Sequence, residues 1–233
     1  MTPASPFEGY DWVDLSHTLE AGIPAWPTHA RFSSTVHESQ TLGDVATHSG
    51  LTLSEHTGTH MDAPLHFVPE GPARYGTDRI PLERLAGRAA TIEATDLAGG
   101  GLLGADRIRA WEREHGPLEP GDRVLFRYGW DERWATGPEG RRFLEDWPGL
   151  SGGAAGYLVE RGAALVGCDT LAVDAAGSGE NPAHHALLWN EVYIVENLKN
   201  LGALPPFCVF LVLPLKIRDG SGSPVRAVAL VPR

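Results

Sequence analysis

His56-Thr57-Gly58-Thr59-His60-Met61-Asp62-Ala63-Pro64-Leu65-His66 gathers three histidines and one aspartate into eleven residues. Imidazole and carboxylate together form the donor set that zinc, manganese and iron accept. All four side chains sit at even offsets, so an extended chain turns them toward one face. A straight strand, at about 3.3 Å per residue, would still hold His56 and His60 roughly 13 Å apart, too far for one ion. The chain therefore has to bend between them, and Gly58 bends it at the least steric cost. Pro64 then ends regular strand pairing before His66. A helix would also bring His56 and His60 together. Thr57-Gly58-Thr59 is a poor helix former, however, and no Glu follows His56, so the HExxH zincin pattern is absent. With 10 His in the whole chain, this clustering beside an Asp points to a metal site rather than to scattered structural histidines.

Outward from this segment, strand signals recur with turn chemistry between them. The pattern predicts short strands near 12–16, 32–36, 49–54, 89–94, 123–128, 164–167, 192–195, 207–213 and 225–230. Helix signals are fewer: 104–115 stops at Gly116-Pro117, 151–161 opens on Ser151, and 181–190 opens on an N-cap and N1 pair, Asn181-Pro182. Strands outnumber helices, and two or three of the helices can serve as crossovers. A mixed, strand-rich α/β or α+β domain over residues 1–233 follows, with no internal repeat and no long linker. The loops at 99–101 and 219–223 lack the strand and helix context of a nucleotide-binding motif.

The bulk composition excludes several function classes. Hydrophobic residues make up 42% and charged residues 21% of the 233, too apolar for a disordered chain. The 28 Gly and 18 Pro break the chain often. A net charge of −11 argues against a nucleic-acid partner and against docking on an anionic membrane surface. Residues 1–12 hold no Lys, Arg or apolar core of a signal peptide, and the longest apolar run, 207–215, is about half a bilayer span. Cys168 and Cys208 lie in apolar surroundings, which suits two reduced core thiols and a cytoplasmic protein.

Other residues could share the chemistry. His184 or His185, at the start of the third helix, could combine with Glu196 to complete a metal sphere from a distant part of the chain. Asp169 and Asp174 follow an apolar strand, where α/β folds often carry function, although turn or N-cap roles suit them equally. His17 and His29 read as hydrogen-bonding residues. Trp26, in the stiff loop Ile23-Pro24-Ala25-Trp26-Pro27, could either wall a pocket or anchor the loop.

The stretch HTGTHMDAPLHF resembles the signature HxGTHxDAPxHF of the cyclase superfamily, which includes bacterial kynurenine formamidases and isatin hydrolases. Asp14-Leu15-Ser16-His17 is similar to that family's opening strand, residues 166–174 to its GxDTxxxD stretch, and residues 184–198 to HxxLLxxxxxxxEnL, which matches His184 rather than His185. The resemblance implies a swivelling β/β/α fold, a zinc or manganese site of one or two ions, and a homodimer or homotetramer. It implies His56, His60 and Asp62 as first ligands, with Asp62 able to bridge to a second ion held by His184 and Glu196. It implies His66 as the catalytic acid/base. The chain departs from the family where formamidases read close to PxxPGDxP and this one has Pro24-Ala25-Trp26-Pro27-Thr28-His29-Ala30. That loop borders the substrate pocket in relatives, so the departure bears on the substrate and leaves the metal ligands untouched.

Three readings follow. The first is a metal-dependent hydrolase cleaving a small amide-type C–N bond in an N-formyl arylamine, a lactam or a cyclic imide. The second keeps the metal but acts as a lactonase or a biosynthetic cyclase or dehydratase. The third is a non-catalytic metal-binding protein. His66 discriminates against the last, because simple metal binding does not require an additional acid/base group.

Overall fold

Strands β5 (Ala86–Glu93), β7 (Arg123–Arg127), β9 (Leu165–Cys168) and β10 (Tyr193–Glu196) run parallel and adjacent, in that order, at the centre of a nine-stranded sheet. The computed structural model describes residues 7–233. The leader-free reading of residues 1–12 therefore falls partly outside the described residues. On one side of the parallel core lie β11 (Phe207–Leu211), β13 (Val228–Pro232) and β1 (Tyr10–Asp14), and on the other β4 (His60–Asp62) and β12 (Gly222–Pro224), all paired antiparallel.

Parallel strands need crossovers, and three helices supply them. α1 (Ala105–His115) joins β5 to β7, α2 (Gly152–Glu160) joins β7 to β9, and α3 (Pro182–Leu188) joins β9 to β10. Alternation along the strands sorts the core into two layers. Val124, Phe126, Val166 and Ile194 pack with Ile108, Leu158 and Leu187 on the helical face. Leu125, Leu165, Tyr193 and Val195 pack with Leu15, Met61 and Phe210 on the other.

The predicted helices are all present, each within a few residues. The nine predicted strands are present too, with β1 two residues earlier than read. Four short strands were not foreseen: β4 and β12, which pair with each other, and β6 (Leu102–Leu103) and β8 (Gly149–Leu150), which form a separate pair. Segments of two or three residues are too short to carry an alternation pattern. Ser151 caps α2 by accepting from the Ala154 amide. Asn181 does not cap α3 with its side chain; its backbone is left-handed, at φ 44°.

Strands β2 (Ser33–Glu38) and β3 (His48–Thr52) make a hairpin apart from the main sheet, with Val36, Leu42, Val45 and Leu51 exposed. Cys168 and Cys208 are buried and free. No helix among the described residues is long and apolar enough to cross a membrane.

Candidate metal centre

β10 and β4 lie side by side, and their register places Glu196 opposite His60 and Ile194 opposite Asp62. One ladder thus joins two distant segments of sequence at the carboxyl end of a parallel strand, where open α/β sheets put their ligands. The chain reaches β4 through Gly58, whose φ of +63° supplies the expected bend. The Gly58 carbonyl accepts from His60 Nδ1 at 2.8 Å and from Asn197 Nδ2 at 2.8 Å. Thr59 Oγ1 donates to the Asn197 carbonyl and accepts from the His17 amide, fastening the bend to β10 and to the opening strand.

His60 Nε2 lies 3.5 Å from Asp62 Oδ1 and 3.4 Å from Glu196 Oε2. His184 Nε2 lies 3.6 Å from Asp62 Oδ2 and 3.3 Å from Glu196 Oε1. All four side chains are buried. Burial alone would raise the pKa of Asp62, yet the rings of His56, His66 and His184 hold it well below the usual carboxylate range. Burial alone would lower the pKa of His184, but its bonds to Asp174, Asp62 and Glu196 outweigh that and push it well up. His60 is raised in the same way, chiefly through Glu196 and Asp62.

These residues fit a divalent cation. His60 presents Nδ1 to the Gly58 carbonyl, and His184 presents Nδ1 to Asp174 Oδ2 at 2.7 Å. Each ring is thereby fixed with Nε2 inward, the arrangement that orients metal-binding histidines. Asp62 Oδ2 is buried among them with no hydrogen-bond partner, a costly state that a cation would relieve. His60, Asp62 and Glu196 bring ligand atoms within 4.8 Å of one another, and so do His56, Asp62 and His66. The two groups share Asp62, the residue assigned above as a bridge.

His56 differs from the other rings, because both its nitrogens are engaged: Nδ1 with Asp62 Oδ1 at 2.7 Å and Nε2 with Ser221 Oγ at 2.9 Å. Ser221 in turn donates to Glu55. Gly222, one residue on, is required here: a Cβ would stand 2.6 Å from the His56 ring and 2.9 Å from the Met61 carbonyl oxygen. His66 stacks on His56 at 4.1 Å between centroids. Burial pushes its pKa down to about 4, leaving a neutral ring with a lone pair to accept a proton.

His56, His60, His66, His184 and Glu196 line a cavity of about 200 Å³, with Trp26, Phe67 and Leu171 among its apolar walls. Trp26 is 39% exposed and meets Trp147 edge-on. Phe67 stacks on His184 at 4.5 Å. His185 points elsewhere and is exposed, as the family spacing implied. His17 and His29, read as hydrogen-bonding residues, each keep one buried ring nitrogen unpaired, Nε2 in His17 and Nδ1 in His29. Asp169 takes neither a turn nor an N-cap role: its buried carboxylate accepts from the Tyr128 and Gly129 amides just beyond the end of β7. Asp174 does more than either role foreseen for it: it caps α3 through the amides of Ala183 and His184 while holding the His184 ring. Asn197, Ser221 and Glu55 were missed, although Asn197 and Glu55 each adjoin a ligand in sequence.

Residues 13–175 match the Cyclase family model. The chain belongs to the cyclase family. Among curated relatives of this cyclase-family protein, isatin hydrolase of Roseibium aggregatum is 34% identical over 78% of the chain and 74% of the relative. Kynurenine formamidase of Bacillus cereus is 33% identical over 94% and 96%. Among solved structures, an isatin hydrolase bound to the product analogue thioisatinate superposes with a TM-score of 0.88, at 30% identity, covering 97% of this chain and 94% of that one. A second structure, described as a potential metal-dependent hydrolase with cyclase activity, gives 0.75 at 25% identity, covering 96% and 99%. The fold is that of isatin hydrolase, and the protein is a hydrolase of the cyclase family.

Proposed function

We propose that this cyclase-family protein hydrolyses a small amide-type C–N bond, in an N-formyl arylamine, a lactam or a cyclic imide. The observation that carries the reading is His66, a neutral ring with an available lone pair in the cavity beside the His56–Asp62 pair. Zinc or manganese, one or two ions, would be held by His56, His60, Asp62, His184 and Glu196. When bound, such an ion supplies Lewis acidity, lowering the pKa of a water and polarising a carbonyl. His66 takes the proton of the attacking water and returns it to the leaving nitrogen as the C–N bond breaks and a C–O bond forms. Trp26 and Phe67 offer flat apolar walls to an aryl group. The names of the relatives, isatin hydrolase and kynurenine formamidase, support amide chemistry over lactone chemistry.

A second reading has its own observation: His66 offers a ligand atom within 4.8 Å of those of His56 and Asp62, so it could hold an ion itself. Metal analysis of the purified protein, followed by a screen of N-formyl aryl amides, isatin-like lactams and cyclic imides, tests both. Metal-containing protein that turns over none of these would refute the amide reading.

We further propose a single domain acting in the cytoplasm as a homodimer or homotetramer. Two free buried cysteines support the compartment. The detached hairpin supports self-association, since two strands alone are marginal in water and this pair exposes four large apolar side chains. Light scattering that returns a monomer mass would refute the oligomer.

A further inference from the structure

Asn197 follows the proposed ligand Glu196 and is 3% exposed. Three of its polar groups are committed to neighbouring chain. Its amide donates to the Thr170 carbonyl at 3.0 Å, its carbonyl accepts from Thr59 Oγ1 at 2.6 Å, and Nδ2 donates to the Gly58 carbonyl at 2.8 Å. The first two are backbone groups that a glycine would supply equally; the third needs the side chain. Two local costs accompany it: the backbone is left-handed, at φ +57°, and Oδ1 is buried with no hydrogen-bond partner among the described residues. A glycine would relieve both. Turning the side-chain amide over would not, because Oδ1 would then face the Gly58 carbonyl oxygen, acceptor against acceptor.

The Gly58 carbonyl also accepts from His60 Nδ1 at 2.8 Å, and Asn197 Nδ2 lies 3.3 Å from that same nitrogen. A carbonyl only accepts, so Nδ1 carries a proton and the neutral ring keeps its lone pair on Nε2, which faces Asp62 and Glu196. Position 58 requires glycine, since φ is +63° and a Cβ would stand 2.6 Å from Leu19 Cδ2. The same freedom lets the peptide plane after Gly58 turn at little steric cost. A turned plane would set the Thr59 N–H beside His60 Nδ1 and favour the tautomer with its proton on Nε2, which cannot bind a cation.

We propose that Asn197 is a positioning residue that holds the Gly58 carbonyl toward His60 and so keeps His60 Nε2 free to bind the cation. The inference rests on the metal reading above and deepens it. Asn197→Gly keeps the left-handed backbone and removes the side chain alone. Unfolding midpoints are measured for the metal-free wild type and variant, and zinc is then titrated into each by calorimetry. The variant should bind zinc about 10–100-fold more weakly. Its metal-free midpoint should stay within about 4 °C of wild type, because relief of the two costs offsets the lost bond. A role confined to folding gives the reverse, a lower midpoint with unchanged affinity, and that result would overturn the proposal. Equal affinity in a folded variant overturns it too, and leaves the metal reading standing. NMR of the zinc-loaded wild type keeps the test open should the variant not fold. Asn197 Nδ2 should couple across its hydrogen bond to the Gly58 carbonyl carbon, and the His60 proton should sit on Nδ1. An Asn197 amide group that exchanges freely with solvent would overturn the role. A wild type that takes up neither zinc nor manganese removes the metal reading, and the Asn197 role falls with it.

Discussion

Asp174→Asn separates what the carboxylate does from the space it fills. Asp174 is 2% exposed and accepts three N–H groups: Ala183 N on Oδ1 at 2.8 Å, and His184 N and Nδ1 on Oδ2 at 3.0 and 2.7 Å. An asparagine offers one acceptor oxygen and one NH2. Whichever way the amide is turned, its NH2 confronts the Ala183 amide or the two donors of His184. A buried donor left facing a donor costs about 1–3 kcal/mol, and removing the charge from the first turn of α3 costs about 0.3–1 kcal/mol more. Roughly 2–3 kcal/mol of stability should therefore be lost, which in a chain of this size lowers the thermal midpoint by roughly 5–10 °C. The His184 ring also loses the acceptor that holds Nδ1–H and turns Nε2 inward. Second-layer losses of this kind weaken a metal site by about 10–100-fold. The assay is urea unfolding followed by tryptophan fluorescence, then calorimetric titration with Zn or Mn at a temperature where the variant stays folded. His184→Ala serves as the reference for complete loss of that ligand. A variant that unfolds at the wild-type midpoint and binds the ion with unchanged affinity would refute both the capping and the orienting role.

Four further outcomes follow from the geometry. His66→Ala should keep the metal and lose most activity, whereas His60→Ala should lose the metal; elemental analysis of both separates acid/base from ligand, and a His66→Ala protein short of one ion would favour the ligand reading. Gly222→Ala drives a Cβ into the His56 ring and should cut activity more than tenfold in a folded protein, so wild-type turnover would show that His56 can move freely. Chelation should lower the thermal midpoint and re-addition restore it, metal at a hundred times Kd adding about 2.7 kcal/mol of stability; a midpoint indifferent to metal would exclude an ion held by His56, His60, Asp62, His184 and Glu196. His17 gives the pH dependence. Its ring is largely buried against Trp134, and desolvation with Lys199 nearby lowers its pKa from 6.5 to about 3. The unfolded chain thus binds a proton below pH 6.5 that the fold refuses, so stability is fullest above 6.5 and declines as pH falls toward 3. His17 contributes a slope of up to about 1.4 kcal/mol per pH unit, and His17→Phe, which keeps the stacking, should remove that share in unfolding curves taken from pH 7 to 5 while the share from His66 remains.

What the sequence made legible follows from periodicity. The central strands β7, β9 and β10 are short but largely apolar and buried because helices cover one face and the second core layer covers the other, and such runs stand out in composition. β4 was invisible as a strand for the opposite reason. Its three residues were chosen for the site, and what makes them a strand is their pairing with β10 and β12, more than a hundred residues away. The need for a bend at Gly58 was nevertheless readable, because it follows from the reach of a peptide chain and from the size of an ion, with no knowledge of the partner strand.

The second half of the centre shows where local reading stops. Asn181-Pro182 carries the local signature of a helix start, and by propensity Asn181 should cap α3. Asp174 takes that role instead, because a carboxylate there satisfies two amides and the His184 ring at once, a combination no side chain at position 181 is placed to provide. Released from capping, Asn181 takes a left-handed backbone and lines the cavity. The helix start, the orientation of His184 and the rim of the pocket are therefore one arrangement, centred on an aspartate seven residues earlier. A sequence window reads each feature separately, and the choice between Asn181 and Asp174 is made by the tertiary contact that holds His184 facing Asp62.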